Sequence, residues 1–278
     1  MPIKIRTAKH ADAGAIHAVH VRAIREGTVS HYSPVEVEIW AGRMAPEWYI
    51  KPIAANIFLV AELDSGVVAG FGELDIEEAE VKAVYVTPEH KRGGIGRRLL
   101  MCLEAIARER GLRRLTLNAS LNAEPFYVAC GFIPVARTTH ELGATGVHIQ
   151  CITMAKELDA LPHRPAAEFI EKTVTVTMDR PLGSKHPRWG FVYPVNYGYI
   201  AGVDAPDGHD LDAYVLAVAE PRESFTGTCI AVVHRLDDDD DKLIVVPEGL
   251  ALADDDIRAA IEFQEQFFIS MILRNRDE

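Results

Sequence analysis

The segment between Val84 and Leu100 constrains the fold more than any other part of the chain. Residues 84–87 are β-branched or aromatic and predict a strand. The glycine-rich residues 91–96 predict a turn that leads into a basic amphipathic helix. Such a turn exposes backbone N–H groups at the positive end of a helix dipole, and glycine lets an anion approach the backbone closely. The sequence therefore predicts an anion-binding turn, with a pyrophosphate as the expected ligand.

The composition is that of a globular protein long enough for two domains. The chain has 278 residues, of which 48% are hydrophobic and 25% are charged, so each half can bury a core. A net charge of −12 argues against nucleic acid as a partner. The four cysteines form no Cys-x-x-Cys pair, which predicts reduced thiols and no zinc site. With no membrane-length apolar run and a polar start instead of a signal peptide, we expect a cytoplasmic protein without a membrane partner.

The sequence pattern changes near the middle of the chain. In the first half it predicts helices over 12–24, 34–44, 94–110 and 123–130, and strands over 56–63, 67–75, 80–86, 114–118, 132–140 and 147–154. In the second half it predicts strands over 173–178, 212–218, 227–234 and 242–246, and a final helix over 254–271. Residues 161–165 carry two prolines and no apolar periodicity. We therefore predict domains over 1–157 and 172–278, joined by a linker over 158–171.

The first half resembles the GNAT superfamily of acetyl-CoA-dependent N-acetyltransferases in two ordered motifs. Residues 91–96 fill the pattern Arg/Gln-x-x-Gly-x-Gly/Ala, with Lys91 where arginine or glutamine is usual. Residues 123–132 match A-x-x-F-Y-x-x-x-G-F. The resemblance implies an α/β fold, with a mixed central sheet flanked by helices. It also implies acetyl transfer from acetyl-CoA to an amine of a small molecule or a protein; an acyl-CoA sensor without turnover is the alternative.

The resemblance also implies roles for single residues. The backbone of Val84 and Val86 would pair with the pantetheine arm of the cofactor. Tyr127 would protonate the departing thiolate, and Glu80 would be the general base, with a solvated strand-start carboxylate as the alternative for Glu80. The residues expected to hold the pyrophosphate are Lys91, Arg92, Gly93, Gly94, Gly96 and Arg97.

The second half resembles soluble inorganic pyrophosphatases, whose fold is a mostly-β, OB-like barrel, here followed by a C-terminal helix. Residues 193–200 match Y-P-x-N-Y-G-(F/Y)-I, residues 207–212 lie where the family carries D-G-D-P-x-D, and residues 240–247 match D-x-K-hydrophobic-V-P. Two features depart from the family. His209 replaces the central aspartate of the second motif, and the tyrosine-lysine pair expected after Phe268 is missing.

This second resemblance implies Mg²⁺-dependent hydrolysis of diphosphate. Divalent cations neutralise the substrate and lower the pKa of the attacking water, and Mg²⁺ prefers carboxylate oxygens. The implied metal ligands are Asp207, Asp212 and Asp240, with Asp237 a weaker candidate, and Asp210 is the substitute for the missing catalytic aspartate. The implied phosphate-binding residues are Lys185, Arg188, Tyr193, Tyr197 and Lys242.

Four questions stay open at this point. The barrel could instead be a non-catalytic phosphate-binding or assembly module, and the aspartate run over 237–241 could be a solvated loop. The expected partners are small molecules, namely an amine acceptor and diphosphate. The identity of the acceptor and the formation of a homo-oligomer are not determined by the sequence.

Overall fold

The computed structural model describes residues 3–158, 165–187, 190–205, 208–236 and 240–274. The chain divides into two compact units, Met1–Ala160 and Leu161–Glu278. No helix in these described ranges combines the length and the apolar character needed to cross a membrane.

A seven-stranded mixed sheet forms the centre of the first unit. Its strands are β1 (Ile3–Thr7), β2 (Ile57–Leu63), β3 (Val68–Asp75), β4 (Glu80–Val86), β5 (Arg114–Ser120), β6 (Ile133–Glu141) and β7 (His148–Glu157). The spatial order is β1-β2-β3-β4-β5-β7-β6, and only β4 and β5 run parallel to each other. The mixed sheet expected for the first half is therefore present.

Five helices accompany this sheet. They are α1 (Ala13–Gly27), α2 (Pro34–Gly42), α3 (Ile50–Ala55), α4 (Ile95–Glu109) and α5 (Glu124–Ala129). The start of α2 is fixed by a capping box, in which the Ser33 hydroxyl accepts from the Glu36 N–H and the Glu36 carboxylate accepts from the Ser33 N–H at 2.7 Å. The apolar face of α4, including Leu99, Leu100 and Leu103, is fully buried in the core with strands β2 to β5.

The second unit is a five-stranded barrel with one helix. Its strands are β8 (Thr173–Arg180), β9 (Asn196–Asp204), β10 (Asp210–Val215), β11 (Ser224–Arg235) and β12 (Lys242–Val246), followed by α6 (Asp254–Glu265) and β13 (Ser270–Leu273). The strand order is β12-β10-β9-β8-β11, and the barrel closes because β12 also pairs with β11. The last strand, β13, pairs only with the C-terminal half of β11 in the described registers.

The barrel has an apolar interior and a second core on its outer face. Side chains from all five barrel strands, among them Val176, Leu211 and Val232, fill the interior. The second core includes side chains of β9, β10 and β12, and it is covered by Ile257 and Ile261 of α6. The alternation of side chains along each strand therefore separates the two cores.

The predicted final helix is wrong in its last third, after Glu265. Helix α6 ends at Glu265, and the chain continues as β13 along β11. Ile269, Met271 and Ile272 are buried there, so pairing with a distant strand overrides the local helical pattern. Strands β1 and β9 were not predicted, although the first contributes an edge to its sheet and the second is central to the barrel.

Candidate active site and a second polar cluster

Strands β4 and β5 separate along their length and open a cleft in the sheet. They share one register pair, Glu80 with Thr116, whereas β3 pairs with β4 from Glu80 to Val86. The edge of β4 that faces β5 therefore has backbone N–H and C=O groups beyond Glu80 without a strand partner. A cleft of about 650 Å³ lies in this opening, and its walls include residues 81–86 and 118–120.

The glycine-rich turn lies at one end of the cleft. Arg92 and Gly94 adopt left-handed backbone conformations, with φ values of 63° and 82°, and α4 begins immediately afterwards. The N-cap residue Gly94 has no side chain that could cap α4. Because the first N–H groups of an α-helix have no intrahelical acceptor, those at the start of α4 can bind an anion. Most of the predicted cofactor-binding residues line the cleft, namely Val84, Val86, Lys91, Arg92, Gly94, Gly96 and Arg97. Gly93 belongs to the turn but is not part of the wall.

Tyr127 lies on α5 and lines the same cleft. The residue is 7% exposed, and its ring packs between Phe126 and Phe132, with centroid distances of 5.0 and 5.8 Å. Burial raises the pKa of the Tyr127 phenol well above its usual range. The hydroxyl therefore remains protonated at neutral pH and can donate a hydrogen bond or a proton.

Glu80 lies at the point where the two strands separate, but it is not part of the cleft wall. Its Oε2 accepts from Lys82 Nζ at 2.6 Å, and its Oε1 accepts from Asn118 Nδ2 at 3.2 Å. Thr153 in turn donates to Asn118 Oδ1 at 2.8 Å. The carboxylate is thus held in place by two neighbours, one of which carries a positive charge.

The sequence does not predict that helix α1 and Tyr85 belong to the cleft. Ala23 and Thr28 contribute to the wall, and so does Tyr85. The His20 ring packs on Tyr85 at a centroid distance of 4.0 Å, and its Nδ1 lies 2.8 Å from the Tyr49 hydroxyl. Burial lowers the pKa of His20 to about 3, which makes it neutral at physiological pH. The sequence contains no motif that identifies the α1 residues of the cleft, because the helical pattern of α1 indicates only that one face is buried.

The second unit gathers several predicted residues around one buried ammonium group. Lys242 Nζ lies 2.7 Å from Oδ2 of both Asp212 and Asp240, and it donates to the Tyr197 hydroxyl oxygen at 2.8 Å. The Tyr197 hydroxyl donates in turn to Asp212. An ammonium group has three protons, and here all three are engaged. A phosphate could therefore reach Lys242 only by displacing one of these partners.

A second buried network, centred on Arg235, shares Asp240 with this cluster. Arg235 donates to Asp240 at 2.9 Å and, through two nitrogens, to Glu265 at 2.7 and 3.0 Å. Tyr214 also donates to Glu265, at 2.7 Å. Two cations therefore face three carboxylates, and each carboxylate has at least one charged partner. Burial raises the pKa of Asp240, an effect that Lys242 and Arg235 oppose.

The remaining residues predicted for this site are placed differently. The Asp210 carboxylate accepts from the Gly202 N–H at 3.0 Å and so supports the connection between β9 and β10. Lys185 is exposed and forms an isolated bridge with Val192. Tyr193 is buried, with its ring 5.4 Å from that of Tyr197. Asp207, Arg188 and Asp237 lie outside the described residues.

The described residues do not by themselves fit Mg²⁺. Asp212 and Asp240 converge, but they do so on Lys242. Within the part of the chain that the structure describes, no group of three or more His, Cys, Asp or Glu side chains is arranged to hold a metal ion. Asp179 is a further carboxylate near the cluster, which the sequence motifs do not indicate. Burial raises the pKa of Asp179; the charge of Asp212 adds to this rise and that of Lys242 opposes it. Asp179 comes at the end of β8, just past the residues for which the sequence predicts a strand.

The comparisons with known proteins concern the unit that carries the cleft. Residues 28–158 match the family model of an acetyltransferase (GNAT) domain. The chain is 28% identical over 130 residues to the uncharacterized N-acetyltransferase YafP of Escherichia coli (strain K12), and the alignment covers 47% of this chain and 81% of that protein. It also resembles the crystal structure of a GCN5-related N-acetyltransferase from Rhodopseudomonas palustris. The sequence identity is 28% and the TM-score 0.53, with coverage of 57% of this chain and 97% of that one. In these comparisons the N-terminal half of the chain, which carries the divided sheet and its cleft, is similar to GNAT acetyltransferase domains.

Proposed function

We propose that the first unit transfers an acetyl group from acetyl-CoA to an amine of a small molecule or a protein. The observation that carries this proposal is the cleft between β4 and β5. It combines an unpaired strand edge, a left-handed glycine turn at a helix start, and a buried phenol. These features suit the three parts of the cofactor in turn, since an unpaired edge can pair with amide groups, a helix N-terminus binds a pyrophosphate, and a phenol can protonate a thiolate.

In this proposal the cofactor lies along β4. The backbone of Val84 and Val86 pairs with the pantetheine arm, and the N–H groups of residues 92–97 bind the pyrophosphate. Arg97 adds a positive charge at the same end of the cleft. This orientation directs the thioester toward Tyr127 and the acceptor toward the wall formed by Tyr85.

The chemistry requires two proton transfers. An ammonium group must lose a proton before its nitrogen can attack the thioester carbonyl, and the leaving thiolate must gain one as the C–S bond breaks. Tyr127 supplies the second proton. Glu80 is the proposed general base for the first, acting through water, because it stands where β4 and β5 diverge but outside the cleft wall.

A Tyr127→Phe variant tests the acid role. We expect kcat to fall by about 10²- to 10⁴-fold, which is the usual contribution of a positioned proton donor. The dissociation constant for CoA should change less than about twofold, because the ring and its packing are kept. Calorimetric titration with CoA and release of free thiol from acetyl-CoA, measured over a panel of amines, give the two readouts. An unchanged rate of thiol release would remove Tyr127 from the mechanism.

The role of Glu80 is tested by a matched pair of variants. Glu80→Gln should lower kcat by about 10²-fold if the carboxylate is the base. Lys82→Met, which removes the ion-pair partner and keeps the carboxylate, should lower kcat much less. A Glu80→Gln variant with unchanged kcat would assign the base elsewhere.

As a second candidate function, we propose that the barrel acts on diphosphate, as the pyrophosphatase resemblance implies. The supporting observation is that Tyr197, Asp212, Asp240 and Lys242, which come from three separate motifs, meet in one hydrogen-bonded cluster. The number of barrel strands is also that of an OB-fold. A non-catalytic phosphate-binding module is the alternative.

Phosphate release from inorganic diphosphate, with and without Mg²⁺, separates these two possibilities. The proposal predicts Mg²⁺-dependent release by the full chain that Asp212→Asn reduces by at least about 10²-fold. Equal release by both proteins would exclude a catalytic barrel. Binding of diphosphate without release would favour the binding module.

A further inference from the structure

Lys91 is the residue of the cofactor turn that departs from the GNAT pattern, and its side chain reaches the helix α1. A Cβ atom built on Gly27 would clash with Lys91 Nζ and lie 3.7 Å from Lys91 Cε. The ammonium group therefore occupies the space that any larger residue at Gly27 would fill. Both Lys91 and the neighbouring Thr28 line the cleft.

The position of Gly27 makes this contact electrostatically favourable. Gly27 is the last residue of α1, and the helix is closed by the Thr28 N–H and hydroxyl, which both donate to the Ile24 carbonyl. The carbonyl end of a helix carries a partial negative charge, and a cation within the last turn is stabilising. The backbone conformation of Gly27 is not left-handed, so close approach explains a glycine here better than a special φ angle does.

A second contact joins the same two elements. Arg22 donates to Glu89 at 2.7 Å, and these residues stand on α1 and in the segment that leads to the glycine turn. The wall of the cleft formed by Ala23 and Thr28 lies on the same half of α1. The cofactor turn and the α1 wall are therefore connected at two neighbouring points.

We infer that Lys91 is a positioning residue, whose ammonium group caps the C-terminal end of α1 and fixes the α1 wall of the cofactor cleft. This inference rests on the proposed function of the first unit. It reassigns Lys91 from a direct ligand of the pyrophosphate to a link between the cofactor turn and α1. The backbone N–H groups of the turn and Arg97 then remain as the anion-binding groups.

A double-mutant cycle on CoA binding tests the inference with the full-length chain. Lys91→Gln removes the charge, and Gly27→Ala displaces the ammonium group by adding the Cβ. Each single variant should raise the dissociation constant of CoA by about two- to fivefold, because the cofactor must then order a less fixed wall. The double variant should show no further loss, since both changes remove the same contact. Hydrogen exchange of the amides of residues 23–28 should become faster in all three.

Gly14→Ala is the matched control on the same helix. A Cβ at Gly14 has nothing within 4 Å, so this change alters helix propensity without touching the link and should leave CoA binding unchanged. Effects of Lys91→Gln and Gly27→Ala that multiply in the double variant would overturn the inference and restore Lys91 as a phosphate ligand. Unchanged exchange of α1 in Gly27→Ala would also overturn it. If the wild-type chain fails to bind CoA, the proposed function itself falls, which is a different and recognisable result.

Discussion

The cleft of the first unit and the polar cluster of the second unit differ in whether their polar groups already have partners. In the cleft, the backbone groups along the open edge of β4 and at the start of α4 have no strand or helix partner among residues 3–158, the part of the first unit that the structure describes. In the barrel, Lys242 and Arg235 are already paired with carboxylates. A ligand can bind in the cleft without breaking existing contacts, whereas a ligand of the barrel must compete with an ion-pair network. The first arrangement leaves polar groups available to a ligand, and the second holds its charged groups in a fixed network.

The largest expected effect comes from breaking the barrel network. Lys242→Met should lower the free energy of unfolding by about 3 kcal/mol, because it leaves two carboxylates facing each other without their shared cation. The value lies at the low end for a buried ion pair, since the Asp212 and Asp240 side chains are 31% and 21% exposed. Chemical denaturation of the full chain measures it.

Lys82→Met provides the corresponding change beside the cleft. Its partner Glu80 forms a single ion pair near the surface, with the Lys82 side chain 41% exposed. The loss of stability should therefore be below about 1 kcal/mol. Equal losses for the Lys82 and Lys242 variants would contradict the contrast between an open site and a closed network.

An intermediate effect is expected from pH, because the wall behind the cleft holds a neutral imidazole. The pKa of His20 is about 3 in the folded state, below the value near 6.5 that it takes when unfolded. As the pH falls, the unfolded state therefore binds the proton before the folded state does. The stabilisation of the folded state by its neutral His20 is present above pH 6.5 and is lost as the pH falls toward 3. Between pH 6.5 and 5 the loss should be about 2 kcal/mol.

The His20→Gln variant isolates this contribution from that of other titrating groups. Between pH 6.5 and 5, the free energy of unfolding of this variant should fall by about 2 kcal/mol less than that of the wild type. Parallel curves for the two proteins would show that His20 is not held neutral in the folded state.

A small effect on stability, combined with a selective effect on CoA binding, is expected at the glycine turn. Gly94 and Gly111 both adopt left-handed conformations, with φ values of 82° and 80°, and neither has an atom within 4 Å of a built Cβ. Alanine at either position should cost about 1 kcal/mol of folding free energy. Only Gly94→Ala should also weaken CoA binding, because only Gly94 lines the cleft. Equal CoA affinities for the two variants would argue against an anion site at this turn.

Much of the first unit could be predicted because its local signals agree with its tertiary structure. The Ser33 cap, the glycine turn and the amphipathic α4 are confirmed at nearly the predicted boundaries. The strand β1 escaped prediction because it is short and its role depends on partners far along the chain, such as the ion pair of Arg6 with Glu62. The end of α6 was missed for the same reason, since only the pairing of β13 with β11 reveals a strand there.

The candidate sites were predictable to different extents. The motif residues that line the cleft could be named in advance, because a glycine-rich turn at a helix start has a recognisable sequence pattern. Their role as cofactor ligands stays a prediction. The α1 wall could not, since its contact with Tyr85 depends on packing between elements that are distant in sequence. In the barrel, the motifs predicted that Asp212 and Lys242 belong together, but they did not predict that the lysine would be fully engaged with carboxylates and a phenol.

The single register pair between β4 and β5 has a consequence for the mechanics of the first unit. With so little direct pairing, the two halves of the sheet are joined mainly through side-chain packing of α4 and α5. A cofactor that lies along the open edge of β4 would connect these halves and would form hydrogen bonds with the backbone groups that β5 leaves unpaired. Occupancy of the cleft should therefore reduce the relative motion of the two half-sheets. On the proposed function, the first unit would be most rigid when both substrates are bound.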